Sequence, residues 1–135
     1  SELATAIKTG TAAEVVMVHD SQRPLTQQAQ FERVYAALTS DIDAVRPVSP
    51  FTETLKSIDA DNFIDETIDR TSMMRISTPE IVRYSAIDCD GAASTWFVPL
   101  KLSAKTAVVD ADADSARINS EKEIELMGYL LDWNK

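Results

Sequence analysis

The 135-residue chain has one cysteine, one histidine and three glycines. The single cysteine, Cys89, cannot close an internal disulfide, which excludes a disulfide-stapled module. So few glycines, with five prolines, exclude collagen-like and linker character. No apolar stretch approaches the ~18 residues of a membrane span. Ser1 to Ala6 lacks both the charged and the apolar region of a signal peptide, so a soluble, cytoplasmic protein is expected. Missing too are GxGxxG, P-loop, CxxC, HExxH and GxSxG motifs. Bases are outnumbered, 13 against 22 acids, for a net charge of −9. No Lys/Arg run builds the positive face that a nucleic acid requires. Neither nucleic acid nor membrane is an expected partner. A small phosphate is a different matter, since a few placed arginines hold it by local geometry.

What remains is ordinary globular composition, 44% hydrophobic and 26% charged, enough for one domain or part of one. Glu14 to His19 is a short apolar run rich in valine, which predicts a strand buried on both faces. The polar turn Asp20-Ser21-Gln22-Arg23-Pro24 follows. Thr26 is then the expected cap of a helix whose stripe is Phe31, Val34, Tyr35 and Leu38. Polar residues at the C-terminal end of such a strand sit where open α/β sheets bind ligands.

Asp43 to Pro50 predicts a second strand, interrupted by Pro47 and stopped by Pro50. Thr52–Ile58 and Asn62–Ile68, joined by Asp59-Ala60-Asp61, predict a β-hairpin. It is polar on both faces, gains little from its own packing, and is expected to project toward a partner chain. Ser77-Thr78-Pro79-Glu80 predicts a helix start, with Thr78 as cap and Pro79 at the first helical position. Lys105–Val109 predicts a short strand, and the acidic stretch Asp110–Asp114 a solvated loop. Ser120-Glu121-Lys122-Glu123 is a capping box for a last helix with the stripe Ile124, Met127, Leu130 and Leu131.

The inventory for chemistry is thin. Cys89 and His19, about 70 positions apart, give only a weak dyad signal, and the bland reading of Cys89 is a small buried or loop residue. Two readings are open for His19: a hydrogen-bonded strand-end residue, or a site group. Asp20 and Arg23, three apart in a turn after a strand, can aim an acceptor and a planar donor fork into one cleft, or simply pair as a turn salt bridge. Arg70 and Arg117 are further anion-binding candidates or surface arginines. Met73 and Met74 read as packing residues, and Trp96 and Trp133 as core or interface anchors.

Val18-His19-Asp20-Ser21-Gln22-Arg23-Pro24 resembles the V-H-D-A-A-R-P signature of the methylerythritol phosphate cytidylyltransferases of isoprenoid biosynthesis. Pro47-Val48 followed by Thr52-Glu53-Thr54-Leu55-Lys56 resembles that family's P-V-x-D-T-x-K, with an insertion and Glu for Asp. Thr67-Ile68-Asp69-Arg70 and Ser77-Thr78-Pro79-Glu80 are similar to its T-V-x-R and Q-T-P-Q. Arg117-Ile118-Asn119-Ser120 stands where the family has K-I/V-T-x. The order is collinear from Val15 to the C-terminus. Near Gly91-Ala92-Ala93-Ser94 the family's T-D-D-A-S loses both acids.

The resemblance implies an α/β, Rossmann-like nucleotidyltransferase fold of the nucleotide-diphospho-sugar transferase type. Residues 1–135 would be the C-terminal part of one such domain, with a projecting β-arm at about 51–76 that dimerises with a second subunit's arm. The family's nucleotide-binding half, with its P-A-A-G-x-G-x-R loop and G-G-x-x-R segment, would precede Ser1, and Ser1–Gly10 would be the helix just after it. This chain is thus either a C-terminal piece or a truncated homologue, and alone it is expected to be inactive.

The implied reaction is cytidylyl transfer from CTP to 2-C-methyl-D-erythritol 4-phosphate, with Mg²⁺ as cofactor, in a homodimer. Asp20 would hold substrate hydroxyls and Arg23 would lie near the phosphate. Ser21 would sit near the nucleotide ribose. Thr54 and Arg70 would reach the substrate phosphate of the neighbouring subunit, and Arg117 replaces a substrate-contacting lysine. No covalent nucleophile is implied, which agrees with the absent triad. Two alternatives stand beside this reading: a ribitol phosphate cytidylyltransferase, and a non-catalytic dimerising homologue.

Overall fold

Val15–Val18 forms strand β1 and pairs antiparallel with a later strand, Glu80–Arg83. A computed structural model describes residues 2–10, 13–91 and 95–133. Helix α1 spans Glu2–Gly10, where a helix is expected, and α2 spans Gln28–Ala36. The strands after them are β2 (Ala44–Pro50), β3 (Leu55–Ile58), β4 (Ile64–Ile68), β5 (Met74–Ile76), β6 (Glu80–Arg83) and β7 (Thr106–Asp110), and α3 (Glu121–Trp133) closes the chain.

Strand β2 is the axis of the main sheet. One edge pairs in parallel with β7, while the other pairs antiparallel with β6 at Ala44 and Val45 and with β5 from Val48 to Pro50. The result is a mixed sheet in which β1, β2 and β7 run parallel and β6 runs against them. Alternation of side chains along the strands places two apolar layers on opposite faces. Ala44 and Val82 meet Ile7 of α1, together with Ile87 and Val98. Val45 and Ile81 meet Val34 of α2. Each fully buried Val or Ile contributes about 1.5–3 kcal/mol relative to exposure.

Several expectations are corrected here. β1 is not buried on both faces, because Met17 is exposed and Val15, Val16 and Val18 are only half-buried. The helix expected from Thr78 is absent: the Thr78–Pro79 peptide bond is cis and Glu80–Arg83 is a strand. The run Ile81-Val82 is what the sheet claims, since it fills both apolar layers at once. β2 continues through Pro47, which falls between its β6 and β5 partners on that edge; its carbonyl accepts from the Ser77 N–H at 2.8 Å.

Thr26 does not cap α2. The N-cap is Gln27, without a side-chain bond, and Tyr35 of the expected stripe is exposed. Met73 and Met74 are likewise exposed, and Trp133, 89% exposed, is no core anchor. The stretch Asp110–Asp114 is more than a solvated loop, because Asp112 pairs with Arg33 at 2.6 Å. The Ser120 cap holds, with Oγ accepting from the Glu123 N–H at 3.3 Å, but the stripe of α3 is largely exposed. The Leu130 side chain and residues 92–94 lie outside the described residues.

The hairpin forms as expected. β3 and β4 pair antiparallel from Leu55↔Ile68 to Ile58↔Ile64, apart from the main sheet. Asp59 Oδ1 accepts from the N–H groups of Asp61 and Phe63 at 2.9 Å each, and Asn62 takes a left-handed φ of 66°. Asn tolerates that region better than most residues. Phe63 and Ile64 at the tip are 70% and 69% exposed.

One buried polar cluster went unforeseen. Arg46 of β2 pairs with Glu80 of β6, donates to the Thr95 carbonyl at 2.7 Å and lies 4.1 Å from the centre of the Trp96 ring. Glu80 Oε1 also accepts from the N–H groups of Phe97 and Val98. Burial pushes the Glu80 carboxyl above its usual range, against the pull of Arg46 and of those two N–H groups. The cluster fastens the 95–98 segment to the sheet.

Candidate functional site

The turn after β1 gathers the polar side chains. Asp20 sits at its start, where the chain leaves β1 beside the first residues of β6. Its Oδ1 accepts from the Gln22 N–H at 3.0 Å, closing an Asx turn. Its Oδ2 accepts from Arg117 Nε at 3.0 Å and lies 3.8 Å from Arg23 Nε. The pairing expected of Asp20 and Arg23 is therefore present, and Arg117 arrives from the connection before α3 to join it.

Arg23 is more deeply held than the other two. Its Nη1 donates to the Ser115 carbonyl at 2.5 Å and its Nη2 to the Ile76 carbonyl at 3.1 Å. Nε is buried without a hydrogen bond. Burial lowers the guanidinium's pKa, with Asp20 raising it and Arg117 lowering it further. At neutral pH it remains charged. Arg23 thus ties the β1 turn to β5 and to the segment after β7, and supplies a fixed positive charge.

Arg117 is about half-exposed, and its Nη2 bonds Gln22 Oε1. Ser21 is exposed in the turn. His19 uses both ring nitrogens: Nε2 lies 3.3 Å from the Arg23 carbonyl and Nδ1 lies 3.0 Å from Thr78 Oγ1. A carbonyl only accepts, so Nε2 is the donor of that contact. The Thr78 hydroxyl in turn accepts from the Asp20 N–H at 3.2 Å. His19 is thereby the hydrogen-bonded strand-end residue of the two readings, positioning Asp20 through Thr78.

Beneath the turn lies Gln30, fully buried on α2. Its amide donates to the Thr78 carbonyl at 2.7 Å and to Ser115 Oγ at 2.9 Å, and accepts from the Asp112 N–H at 2.6 Å. Ser115 Oγ also bonds Ser77 and Thr26. This network joins the β1 turn, the β5–β6 corner and the β7–α3 connection. Sequence reasoning missed Gln30, although a signal existed: it lies four residues before Val34, on the inward face where an apolar residue was due.

Two clefts open at this junction. One, of 280 Å³, is lined by Asp20, Thr78 and Phe97 among others; the second, of 610 Å³, extends past Ser49, Arg75 and Asn119. Arg23 and Arg117 line both. The structure therefore brings Asp20, Arg23 and Arg117 together. It leaves Thr54 and Arg70 outside both clefts, at the base of the arm, where Arg70 Nη1 donates to the Thr52 carbonyl.

The arrangement matches a known family over most of its length. The profile of 2-C-methyl-D-erythritol 4-phosphate cytidylyltransferase, IspD, matches residues 2–95. The chain belongs to this family. It is 39% identical over 77 residues to the bifunctional enzyme IspD/IspF of Rhizobium rhizogenes, covering 57% of this chain and 19% of that one. To the bifunctional enzyme IspD/IspF of Rhodospirillum rubrum it is 32% identical over 124 residues, covering 87% and 32%. The chain thus spans a third or less of these relatives. The solved 2-C-methyl-D-erythritol 4-phosphate cytidylyltransferase of Thermus thermophilus shares its fold, with a TM-score of 0.77 at 19% identity over 96% of this chain and 67% of that one. The Rossmann-like nucleotidyltransferase fold expected from the motifs is the fold found.

Proposed function

We propose that this chain supplies the substrate-binding and dimerisation half of an IspD-type enzyme, which transfers a cytidylyl group from CTP to 2-C-methyl-D-erythritol 4-phosphate in isoprenoid synthesis. The observation that carries the reading is the convergence of Asp20, Arg23 and Arg117 on one junction, from segments that match the family's motifs. In this reading a phosphate oxygen of the polyol phosphate attacks the α-phosphorus of CTP in line, and pyrophosphate leaves. Such a reaction depends on positioning and charge neutralisation. Asp20 accepts the substrate's hydroxyls with the lone pairs its two bonds leave over. Arg23, held by carbonyls, offsets phosphate charge without moving.

Among the described residues no group of three or more metal-ligating side chains exists, and Asp20 and Asp112 are both engaged by arginines. The described carboxylates do not form a magnesium cage. Mg²⁺, when bound, would be held chiefly by the CTP phosphates and would supply charge neutralisation there. The exposed apolar arm tip supports a homodimer in which Thr54 and Arg70 serve the neighbouring subunit's site. Among the described residues no helix is long and apolar enough to cross a membrane, and a cytoplasmic enzyme is the location this reading takes.

The test is pyrophosphate release by the full-length protein given CTP, Mg²⁺ and 2-C-methyl-D-erythritol 4-phosphate. Turnover with ribitol phosphate alone would transfer the reading to the sister activity. Silence with both substrates would leave the non-catalytic homologue.

A further inference from the structure

The two clefts that share Arg23 and Arg117 differ in chemistry. The smaller offers a carboxylate, Asp20, in front of a buried Thr78 whose hydroxyl already serves His19 and the Asp20 N–H. The larger has three guanidiniums, those of Arg23, Arg75 and Arg117, with Ser49 and Asn119 as neutral partners. Two of the three are committed within the chain. Arg23 gives its Nη atoms to main-chain carbonyls, and Arg117 gives Nε and Nη2 to Asp20 and Gln22.

Arg75 is the uncommitted one. It lies on β5, exposed, with its guanidinium carbon 5.8 Å from the centre of the Phe51 ring, and forms no ion pair among the described residues. Asp112, a carboxylate lining the same cleft, is held by Arg33. Glu53 is near enough for Arg75 to lower its pKa, but that carboxyl is lowered first by a backbone N–H and the Thr52 hydroxyl. A planar donor fork beside an aromatic face, at the rim of a cleft with two other cations, suits a phosphate ester better than a neutral group.

We propose that Arg75 grips the substrate phosphate from within its own chain: the polyol phosphate lies across the ridge at Arg23 and Arg117, hydroxyls toward Asp20, phosphate between Arg117 and Arg75. This orientation rests on the polyol-phosphate reading above. It adds a residue that none of the motifs includes, at the end of the expected 51–76 arm where β5 pairs with β2 of the main sheet.

The experiment is steady-state kinetics of the full-length protein, with CTP and 2-C-methyl-D-erythritol 4-phosphate varied in turn, for the wild type, Arg75→Gln and Arg75→Lys. Arg75→Gln is expected to raise KM for the polyol phosphate about tenfold or more, the loss of one charge-assisted contact. KM for CTP and the thermal midpoint should stay where they are. Arg75→Lys should recover part of the loss, because it keeps the charge but not the fork. An unchanged polyol phosphate KM in Arg75→Gln overturns the proposal and leaves the polyol-phosphate reading standing. A parallel rise in both KM values also overturns it, since the residue would then serve the fold and not the phosphate. A wild type inactive with this substrate removes the reading itself, and the proposal with it.

Discussion

The guanidinium of Arg46 and the carboxylate of Glu80 form an ion pair inside the protein, with side-chain exposures of 6% and 0%. The pair joins β2 to β6, and through the Thr95 carbonyl and the Phe97 and Val98 N–H groups it secures a loop that has no strand of its own there. Glu80 stands in the segment resembling the family's Q-T-P-Q, so a charge has entered where that motif carries an amide. The neighbouring Arg46 supplies the counter-charge.

Removing one partner alone leaves the other charge buried. Glu80→Ala should destabilise the protein by about 3–5 kcal/mol, read from urea unfolding. Replacing both, as Arg46→Met with Glu80→Leu, should recover much of that loss, since a well-packed apolar pair avoids the desolvation of two ions. If the double variant is no more stable than Glu80→Ala, the hydrogen bonds to the 95–98 segment matter more than the charge pair.

A second prediction concerns the arm. Leu55 and Ile64 lie on strands that pack chiefly on each other, and in the proposed homodimer a second copy of the chain covers them. Leu55→Asp with Ile64→Asp should shift the sedimentation of the full-length protein from dimer toward monomer while its thermal midpoint falls little. A wild type that sediments as a monomer at all concentrations would remove the arm's assigned role.

How much of this was legible in the sequence varies with the range of the interactions involved. The hairpin was readable because Asp59-Ala60-Asp61 is a local turn between two short β-prone runs. The Asp20-Arg23 pairing was readable because both lie in one turn. The segment after Ser77 was misread for the opposite reason: Thr-Pro-Glu satisfies every local rule for a helix start, but the sheet takes Ile81 and Val82 into its two apolar layers. Gln30 and the Arg46–Glu80 pair depend on partners 34 to 85 residues away, so the helical spacing marks the inward face of Gln30 but no local pattern names what either one binds. The exposed stripe of α3 shows the converse limit, since amphipathic spacing predicts a helix and a face but not what the face meets.

A third prediction tests how Arg70 is presented. Asp69 caps the one-turn helix Arg70–Ser72, accepting from the N–H and hydroxyl of Thr71 at 3.0 and 2.7 Å. Those two bonds hold its carboxyl below the ordinary 3.8. A lowered folded pKa means the cap's contribution is present above the unfolded value and is lost as pH falls through the folded one. In an NMR titration the Thr71 amide should therefore shift with a midpoint below 3.8, and Asp69→Asn should abolish that titration. A Thr71 amide that follows an ordinary carboxylate titration would mean the cap does not persist in solution.

The fourth prediction decides whether Arg70 acts across a subunit boundary. In this structure Arg70 lines neither cleft of its own chain and donates to the carbonyl of Thr52 at the rim of the larger one, and the proposed reading gives it to the neighbouring subunit's site. In the full-length enzyme Arg70→Ala and Asp20→Ala should each cut activity sharply. Loss of the exposed Arg70 should change stability within about 1 kcal/mol. Asp20→Ala also removes the counter-charge of the mostly buried Arg23 and should cost more. Mixing the two variants creates heterodimers in which one site combines an intact Asp20 with an intact Arg70 and the other combines both defects. With random pairing in a two-fold dimer, half the dimers are mixed and half their sites are whole, so activity should return to roughly a quarter of wild type. Acting within one subunit, Arg70 would leave every site in the mixture defective, and activity would stay at the level of the parents. Sedimentation of the mixed sample, showing that dimers have exchanged, separates that outcome from subunits that never met.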